Sequence, residues 1–375
     1  MKKLKICVYA ICKNESKFVE QWMNSMTEAD LVVVTDTGST DDTREKLKKR
    51  GAVVHFGKVE PWRFDTARNI SLEYVPADVD ICVCTDLDEH FEPGWREKLE
   101  KAWLNYKPMH NGTISKTGKY IYNWSLKPDG TEDTQFYNFK IHERHGFQWK
   151  CPVHEYPEYT GTPPLETVFI EGMVLNHYPD PAKSRASYLP LLEMAVKETP
   201  HDPRMRYYLG REYMYQDKWQ NCINTLKFYL KMPNAVWNEE KSAAMRWIAK
   251  SCYKLKRTKE AYMWYYKAIG EAPHMRDPYI EFSIICYELG DWPMTFSLAQ
   301  EALKIREKSR TFINMGHSWD HTPNDLSALS AYHMNMFETA YEHGKQALGY
   351  SPNNERLKNN LKIIEAKYTI TKSRV

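Results

Sequence analysis

The chain has 375 residues, of which 42% are hydrophobic and 27% charged, a composition typical of a folded protein long enough for two domains. Its net charge of +3 conceals an asymmetry: residues 1–180 carry 23 Lys and Arg against 28 Asp and Glu, whereas residues 181–375 carry 29 against 21. The basic second half modestly favours an anionic partner. No apolar run approaches the roughly 18 residues of a membrane span and no signal segment is evident, so a cytoplasmic location is expected.

The first 85 residues alternate β-rich runs with polar helical stretches. We predict strands at residues 6–11, 31–35, 52–56 and 81–85 and helices at 17–26, 41–50 and 64–74. Such alternation predicts a mostly parallel sheet with helices on both faces. The eight cysteines show no C-x-x-C spacing, and several lie in apolar runs, which predicts reduced core residues rather than disulfides or zinc ligands.

The pattern becomes less regular after residue 88. Aromatic runs at 119–124 and 136–141 are typical of antiparallel additions to the sheet, and residues 168–177 predict one more strand. Strand signals stop after Tyr178-Pro179-Asp180-Pro181. We therefore predict two domains, residues 1–181 and 182–375.

The second half reads as pairs of amphipathic helices. Four pairs begin near Arg204, Lys241, Pro278 and Asn324, and the first two intervals are about 37 residues, near the period of tetratricopeptide hairpins. Stacked hairpins of this kind build a surface for a partner. The last interval is longer than the others, so a non-repetitive helical bundle stays open as an alternative.

Acidic side chains follow two of the predicted strands. Asp86 and Asp88 come directly after the run 81–85, and paired carboxylates at a strand end suit a divalent metal that carries a diphosphate. A D-x-D pattern alone is weak, because solvated strand ends carry acids by chance. Asp36 ends another strand, where it can accept hydrogen bonds from a base or ribose, whereas Asp41 and Asp42 fit the dipole of the helix that follows.

Four short segments occur in the order found in family 2 glycosyltransferases. They are Cys12-Lys13-Asn14-Glu15, Asp36 to Thr43, Phe64-Asp65-Thr66-Ala67-Arg68-Asn69 and Asp86-Leu87-Asp88-Glu89. The helical half, which includes Tyr208-Leu209-Gly210-Arg211-Glu212-Tyr213, resembles the tetratricopeptide segment fused to such enzymes in bacteria and their phages. The resemblance implies an α/β GT-A domain with a Rossmann-like mixed sheet, followed by an all-α, tetratricopeptide-like superhelical domain.

The same resemblance implies a metal-dependent transfer of a hexosyl or pentosyl group from a nucleotide sugar, with a UDP-sugar as the expected donor and inversion at the anomeric carbon. It places Glu15 and Asp36 at the nucleoside, Arg68 near the base or diphosphate, Asp86 at the ribose and metal, and Asp88 at the metal. The metal is expected to be Mn2+ or Mg2+. The alternative for Arg68 is a surface ion pair with Asp65.

Histidines and a glutamate complete the expected site. His177 ends the last strand of the first region, and the resemblance implies that it completes the metal shell; a structural histidine between domains is the alternative. An inverting transfer needs a base for the acceptor proton. The resemblance favours Glu155 in the dense segment 140–155, with His154 as second choice. His142 and His145 could instead contact a phosphate.

The acceptor is expected to be a macromolecule held by the helical repeats: hydroxylated pyrimidines in DNA, a peptide or protein side chain, or a glycan. Trp219, Trp237, Trp247 and Trp264 could stack on an extruded base, although helical spacing favours core positions for them. A non-catalytic nucleotide-binding scaffold is the main alternative function. A nucleotidyltransferase would require a glycine-rich, lysine-bearing phosphate loop after the first strand. Residues 10–15 contain no glycine, which argues against this function.

Overall fold

The alternating first half of the chain folds separately from the helical second half. The computed structural model describes residues 3–127, 129–181, 183 and 185–373. It divides into two compact units, Met1–Glu198 and Thr199–Val375. The domain boundary expected after Pro181 precedes a helix that the first unit contains; Ala182 and Ser184 lie outside the described residues.

Ten strands and five helices make up the described part of the first unit. The strands are β1 (Ile6–Cys12), β2 (Leu31–Asp36), β3 (Val53–Phe56), β4 (Ile81–Cys84), β5 (Glu89–Phe91), β6 (Ser115–Leu126), β7 (Glu132–Glu143), β8 (Phe147–Lys150), β9 (Tyr156–Tyr159) and β10 (Leu165–His177). The helices are α1 (Val19–Ser25), α2 (Thr43–Lys49), α3 (Phe64–Glu73), α4 (Trp95–Leu104) and α5 (Tyr188–Glu198).

Eight of these strands form one mixed sheet in the order β3-β2-β1-β4-β7-β6-β10-β5. The first four are parallel, β7 is antiparallel to both of its neighbours, and β10 runs parallel to β6. The predicted parallel core and its antiparallel additions are therefore confirmed. Because β1, β2, β4 and β10 point the same way, the residues after them meet at one edge of the sheet.

The central strands are buried on both faces, as expected for a parallel sheet covered by helices. Every residue of β1 and β4 is buried. Cys7, Cys82 and Cys84 pack in this core, and all eight cysteines are free thiols, as predicted. Gly118 in β6 lets the neighbouring strands approach closely, because a Cβ there would lie 2.9 Å from side-chain atoms of Ile141 and Ile170.

Nine helices form the described part of the second unit. They are α6 (Pro203–Tyr215), α7 (Trp219–Tyr229), α8 (Asn238–Lys254), α9 (Thr258–Glu271), α10 (Asp277–Glu288), α11 (Trp292–Lys304), α12 (Thr322–His333), α13 (Phe337–Tyr350) and α14 (Glu355–Lys372). Each helix packs against the next one in the chain. The four predicted pairs are confirmed, and the longer last interval holds a connection with a 3-10 turn at Gly316–Ser318.

No helix within the described ranges has both the length and the apolar character that a membrane span requires.

Candidate active site at the carboxyl edge of the sheet

The loops after β1 and β2 are held together by side-chain hydrogen bonds. Asn14 adopts a left-handed φ of 56°, which asparagine tolerates better than most residues. Its side-chain oxygen accepts the Thr40 backbone N–H at 2.7 Å, and the backbone N–H of Glu15 donates to the Thr43 hydroxyl at 2.9 Å. The two loops thereby fix the position from which the Glu15 side chain leaves the backbone.

Asp36 ends β2, as predicted, but its carboxylate is turned into its own loop. Its side chain is fully buried, and Oδ1 accepts the backbone N–H groups of Gly38 and Ser39 at 3.1 and 3.0 Å. These bonds stabilise a turn in which Gly38 has a left-handed φ of 117°. The structure therefore gives Asp36 a local role, and its contact with a nucleoside stays a prediction.

Arg68 lies on α3 and links two of the predicted acids. Its Nη2 donates to Asp86 Oδ1 at 2.8 Å and its Nε to Glu155 Oε1 at 2.5 Å. Burial disfavours the guanidinium charge, but these two carboxylates raise the pKa of Arg68 well above its usual range. Asp65 pairs instead with Arg63 at 2.8 Å, so the alternative of a surface Arg68–Asp65 pair is wrong.

The segment that carries Glu155 is tied to α3 next to Arg68. The Asn69 side chain donates to the Trp149 carbonyl at 3.0 Å and accepts the Trp149 backbone N–H at 2.8 Å. The chain then turns through Cys151 and His154, whose φ values are 76° and 53°. Left-handed conformations cost non-glycine residues of order 1 kcal/mol or more and cluster at functional sites. The left-handed turns at Cys151 and His154 bring the Glu155 carboxylate within hydrogen-bond distance of Arg68. The His154 ring instead packs edge-on against Tyr188, with 5.8 Å between the ring centroids.

Lys140 holds the other side of Asp86. Its Nζ lies 3.1 Å from Asp86 Oδ2 and 3.3 Å from Oε1 of the buried Glu89, which also accepts the Tyr122 hydroxyl at 2.7 Å. Although burial opposes ionisation, Arg68 and Lys140 hold the pKa of Asp86 well below its usual range. Both oxygens of Asp86 are therefore engaged by cations in this structure.

From the sequence, Lys140 belongs to the dense segment 140–155, and its contact with Asp86 was not predicted. The contact depends on the pairing of strands β4 and β7. Val83 of β4 lies opposite Ile141 of β7, so the preceding residue, Lys140, lies beside the carboxyl end of β4.

Asp88 forms a second cluster with Glu15 in the loop after β1, His177 at the end of β10, and Lys183. Its Oδ2 lies 3.7 Å from His177 Nε2 and 3.4 Å from Lys183 Nζ, and this ammonium is 2.6 Å from Glu15 Oε1. Burial raises the pKa of Glu15 to about 7, although Lys183 acts in the opposite direction. Lys183 was not predicted, because it follows the Tyr178–Pro181 stretch that looked like a linker.

His177 is oriented with one ring nitrogen towards Asp88. Its Nδ1 lies 2.9 Å from the Trp124 carbonyl, so Nδ1 carries the proton and Nε2 faces Asp88. The Tyr178 backbone N–H also donates to the Asp88 carbonyl at 2.7 Å. A histidine held by a backbone carbonyl in this way is the usual arrangement behind a metal-binding imidazole. The structure thus brings His177 Nε2 to within 3.7 Å of Asp88 Oδ2, and a role of His177 in metal binding stays a prediction.

The charges of the two clusters do not balance. Five carboxylates face three cationic side chains: Glu15, Asp86, Asp88, Glu89 and Glu155 against Arg68, Lys140 and Lys183. Burial raises the pKa of two of these carboxyls, Glu15 and Glu89, so protonation of either one reduces the excess. Among the residues that the structure describes, no group of three or more His, Cys, Asp or Glu side chains has the spacing of a metal site.

Two residues considered for phosphate contact lie elsewhere. His142 is fully buried, its Nε2 accepts the Tyr9 hydroxyl at 2.8 Å, and its Nδ1 donates to the Glu143 carbonyl at 2.7 Å. His145 follows β7 near the amino end of β4, where it contacts the Ala77 carbonyl at 3.0 Å. His142 lies opposite Cys82 inside the sheet and His145 lies beyond the amino end of β4, so the structure brings neither of them to the acids at the carboxyl edge.

Comparison with protein families gives a match that lies within the first unit. Residues 7–156 match the family described as Glycosyl transferase family 2. Curated proteins show no match. One similar solved structure is a thermophilic TPR protein of Thermus thermophilus, with 16% sequence identity and a TM-score of 0.35; the match covers 48% of this chain and 90% of that chain. Another is the C-terminal part of a TPR repeat-containing protein of Cytophaga hutchinsonii, with 16% sequence identity and a TM-score of 0.41; the match covers 50% of this chain and 67% of that chain.

These TM-scores are too low to assign a fold. We assign helical hairpins to the second unit because each helix from α6 to α14 packs against the next one in the chain. The mixed sheet, the order of the strand-end motifs and the family match agree for the first unit. The chain therefore contains a family 2 glycosyltransferase domain of the α/β type, followed by a region of stacked helical hairpins.

Proposed function

We propose that the protein is a metal-dependent, inverting glycosyltransferase that takes a nucleotide sugar, with UDP as the expected nucleoside diphosphate, and transfers a hexosyl or pentosyl group to a macromolecule. The observation that supports it best is the convergence of Asp86, Asp88 and His177 at one edge of a family 2 domain. Glycosyl transfer requires a site that neutralises a leaving diphosphate, and this edge combines metal-type ligands with arginine and lysine.

The residues present fit a divalent cation. Asp88 Oδ2 and His177 Nε2 are the ligands we assign, and Mg2+ or Mn2+ in such sites takes its remaining ligands from substrate phosphates and water. Two further observations agree: the Lys183 ammonium already lies between two of the acids, and Glu15 Oε2 is buried without a hydrogen-bond partner among the described residues. When bound, the cation would stabilise the negative charge that develops on the diphosphate.

Asp86 and Arg68 then have different tasks. Because both oxygens of Asp86 are held by Arg68 and Lys140, we assign Asp86 to the ribose rather than to direct metal contact. Arg68 retains N–H groups beyond its two carboxylate contacts and can donate them to the donor. Glu15 and Asp36 remain our proposals for the nucleoside side of the site.

Glu155 is our choice of catalytic base. Its carboxylate accepts a hydrogen bond from Arg68, which also donates to Asp86, whereas the His154 ring packs against Tyr188. A Glu155→Gln variant keeps an oxygen for Arg68 but cannot take a proton, so kcat should fall roughly 100-fold or more while donor KM changes little. Glu158→Gln, in the neighbouring strand β9, is the control. An unchanged kcat in Glu155→Gln would transfer the role to His154.

We favour a peptide or protein acceptor over DNA or a glycan. The DNA hypothesis relied on tryptophans that could stack on an extruded base, but Trp247 and Trp264 are only 6% and 9% exposed. Trp237 is the more accessible of the group at 38%. Stacked helical hairpins generally serve as binding surfaces for other proteins. A cytoplasmic location is part of the same proposal.

A panel of nucleotide sugars, screened for released nucleoside diphosphate with Mn2+ or Mg2+, tests the function. Asp88→Ala should lower release by at least about 100-fold, equivalent to the several kcal/mol that a metal supplies. Asp78→Ala removes an exposed carboxylate before the amino end of β4 and should have no effect. Metal-independent turnover that survives in Asp88→Ala would refute the metal role. Tight nucleotide binding without turnover on any donor and acceptor would favour the non-catalytic scaffold.

A further inference from the structure

The helical unit contains a cleft of its own. It has a volume of about 390 Å3 and lies between the ends of four consecutive helices, α10 to α13. The side chains that line it include Arg276, Leu303, Arg306, Asn324, Gln346 and Tyr350. This volume is at the lower end of the range of small-molecule sites, roughly 300–1,000 Å3.

Arg276 carries a buried positive charge at this cleft. It is only 6% exposed, it stacks on Trp319 at 4.0 Å, and its Nε and Nη2 donate to the Ile305 carbonyl at 2.9 and 2.7 Å. Within the described part of the chain, no carboxylate lies within 4.0 Å of this guanidinium; neighbouring Asp277 is 3.9 Å from Arg246 instead. Neutral carbonyls thus hold a guanidinium whose remaining N–H groups can still donate.

Arg306 brings a second guanidinium to the same cleft. It is exposed, and among the described residues it forms no ion pair and no side-chain hydrogen bond. Burial lowers the pKa of Arg276; the charge of Arg306 acts in the same direction, whereas Tyr350 and Asp277 raise the pKa. Two like charges that face one cleft destabilise each other unless an anion lies between them.

The other polar groups of the cleft are also able to donate hydrogen bonds. Gln300 donates to His343 Nε2 at 2.9 Å, so His343 Nδ1 carries the proton and donates to Asn324 Oδ1 at 2.9 Å. This leaves the Asn324 amide NH2 group as a donor, beside the amide of Gln346 and the hydroxyl of Tyr350. Leu303 and the Tyr350 ring add apolar surface.

We propose that this cleft binds the phosphate monoester of a small organic molecule. A phosphate monoester carries about −1.5 to −2 charge at pH 7, which matches two guanidinium groups, whereas a carboxylate leaves one of them uncompensated. Arginine donates to phosphate oxygens in a bidentate fork, and the apolar wall accommodates the organic body. The site is independent of the transfer reaction proposed above.

Isothermal titration of the full-length protein with phenyl phosphate, inorganic phosphate and acetate, at constant ionic strength, tests the proposal. We expect saturable one-to-one binding of phenyl phosphate, weaker binding of inorganic phosphate and no detectable binding of acetate. Arg306→Gln should weaken phenyl phosphate binding at least tenfold, because Arg306 supplies one of the two charges. Arg257→Gln, an exposed arginine at the start of α9, should change it less than twofold.

Absence of saturable binding, equal affinity in Arg306→Gln, or acetate binding as tight as phenyl phosphate binding would each overturn the proposal. Equal affinity for inorganic and phenyl phosphate would contradict the proposed contact between the apolar wall and the organic part of the ligand. The cleft would then be a site for free phosphate. Arg306 is exposed and supports no described contact, so its variant should fold normally. Ligand-free transferase activity should be unchanged in Arg306→Gln, which separates failure of this site from failure of the proposed function.

Discussion

Replacing Lys140 by methionine tests the electrostatic arrangement around Asp86. Lys140 Nζ lies 3.1 Å from Asp86 Oδ2 and 3.3 Å from Glu89 Oε1, and its side chain is 16% exposed. Methionine has a similar length but no charge. The variant leaves Glu89, which is 2% exposed, without a cation, whereas Asp86 keeps Arg68.

Removing one partner of a buried ion pair costs about 3–5 kcal/mol. Because Asp86 keeps its contact with Arg68, we expect Lys140→Met to lower the free energy of unfolding by the lower end of this range, about 3 kcal/mol at pH 8. Burial and Asp86 already raise the pKa of Glu89, and loss of Lys140 raises it further. A carboxyl whose folded pKa exceeds its unfolded value binds a proton more readily when folded, so the deficit should shrink as the pH falls towards 5.

Urea unfolding at pH 5 to 8 measures this deficit, and amide hydrogen exchange of β4 and β7 locates it in the first unit. The double variant Lys140→Met/Glu89→Gln removes the orphaned charge and should recover much of the loss at pH 8. Lys127→Met, an exposed lysine in the loop after β6, is the matched control. A loss below 1 kcal/mol, or one that does not vary with pH, would refute the reasoning.

Three further predictions concern the first unit and its contrast with the helices. Gly118→Ala should destabilise the protein by about 1–3 kcal/mol in the same urea assay, because the added Cβ overpacks the sheet. Gly270→Ala in α9 is the contrasting variant: open space surrounds the added Cβ, and it should stabilise the protein by about 0.5–1 kcal/mol. Burial lowers the pKa of His142 to about 4, so wild-type stability should fall by roughly 3 kcal/mol as the pH drops from 6.5 to 4, and His142→Gln should lack this part of the pH dependence. His177→Ala should weaken Mn2+ binding, measured by electron paramagnetic resonance, by about 10–100-fold, whereas His145→Ala should leave it unchanged.

Strand patterns and strand-end acids could be predicted from the sequence because both are local. Apolar β-branched runs predict buried parallel strands, and an acid directly after such a run must lie at the carboxyl edge of the sheet. Asp86 and Asp88 meet this condition, and His177, which ends β10, lies at the same edge. The burial of Asp36 depends on how its own loop turns, and residue spacing does not specify that turn.

Partners that come from distant segments could not be predicted. Lys140 reaches Asp86 only because β7 inserts next to β4, and strand order is not visible in a linear pattern. Arg68 and Asp65 have helical spacing that suggests a pair, but Arg63 competes for Asp65 and frees Arg68 for the site. Lys183 follows a proline-rich stretch, where composition indicates a linker rather than a ligand.

Arg68 lies between the two acids to which we assign the donor and acceptor sides of the proposed reaction. One guanidinium donates to an acid assigned to the donor and to the acid assigned to the acceptor proton. Where a donor phosphate takes the N–H group that now holds Glu155, its binding and the release of Glu155 favour each other, because coupling between two ligands is reciprocal. In the reaction that we propose, arrival of a donor diphosphate would then free the base, so that proton abstraction would wait until the sugar to be transferred is in place.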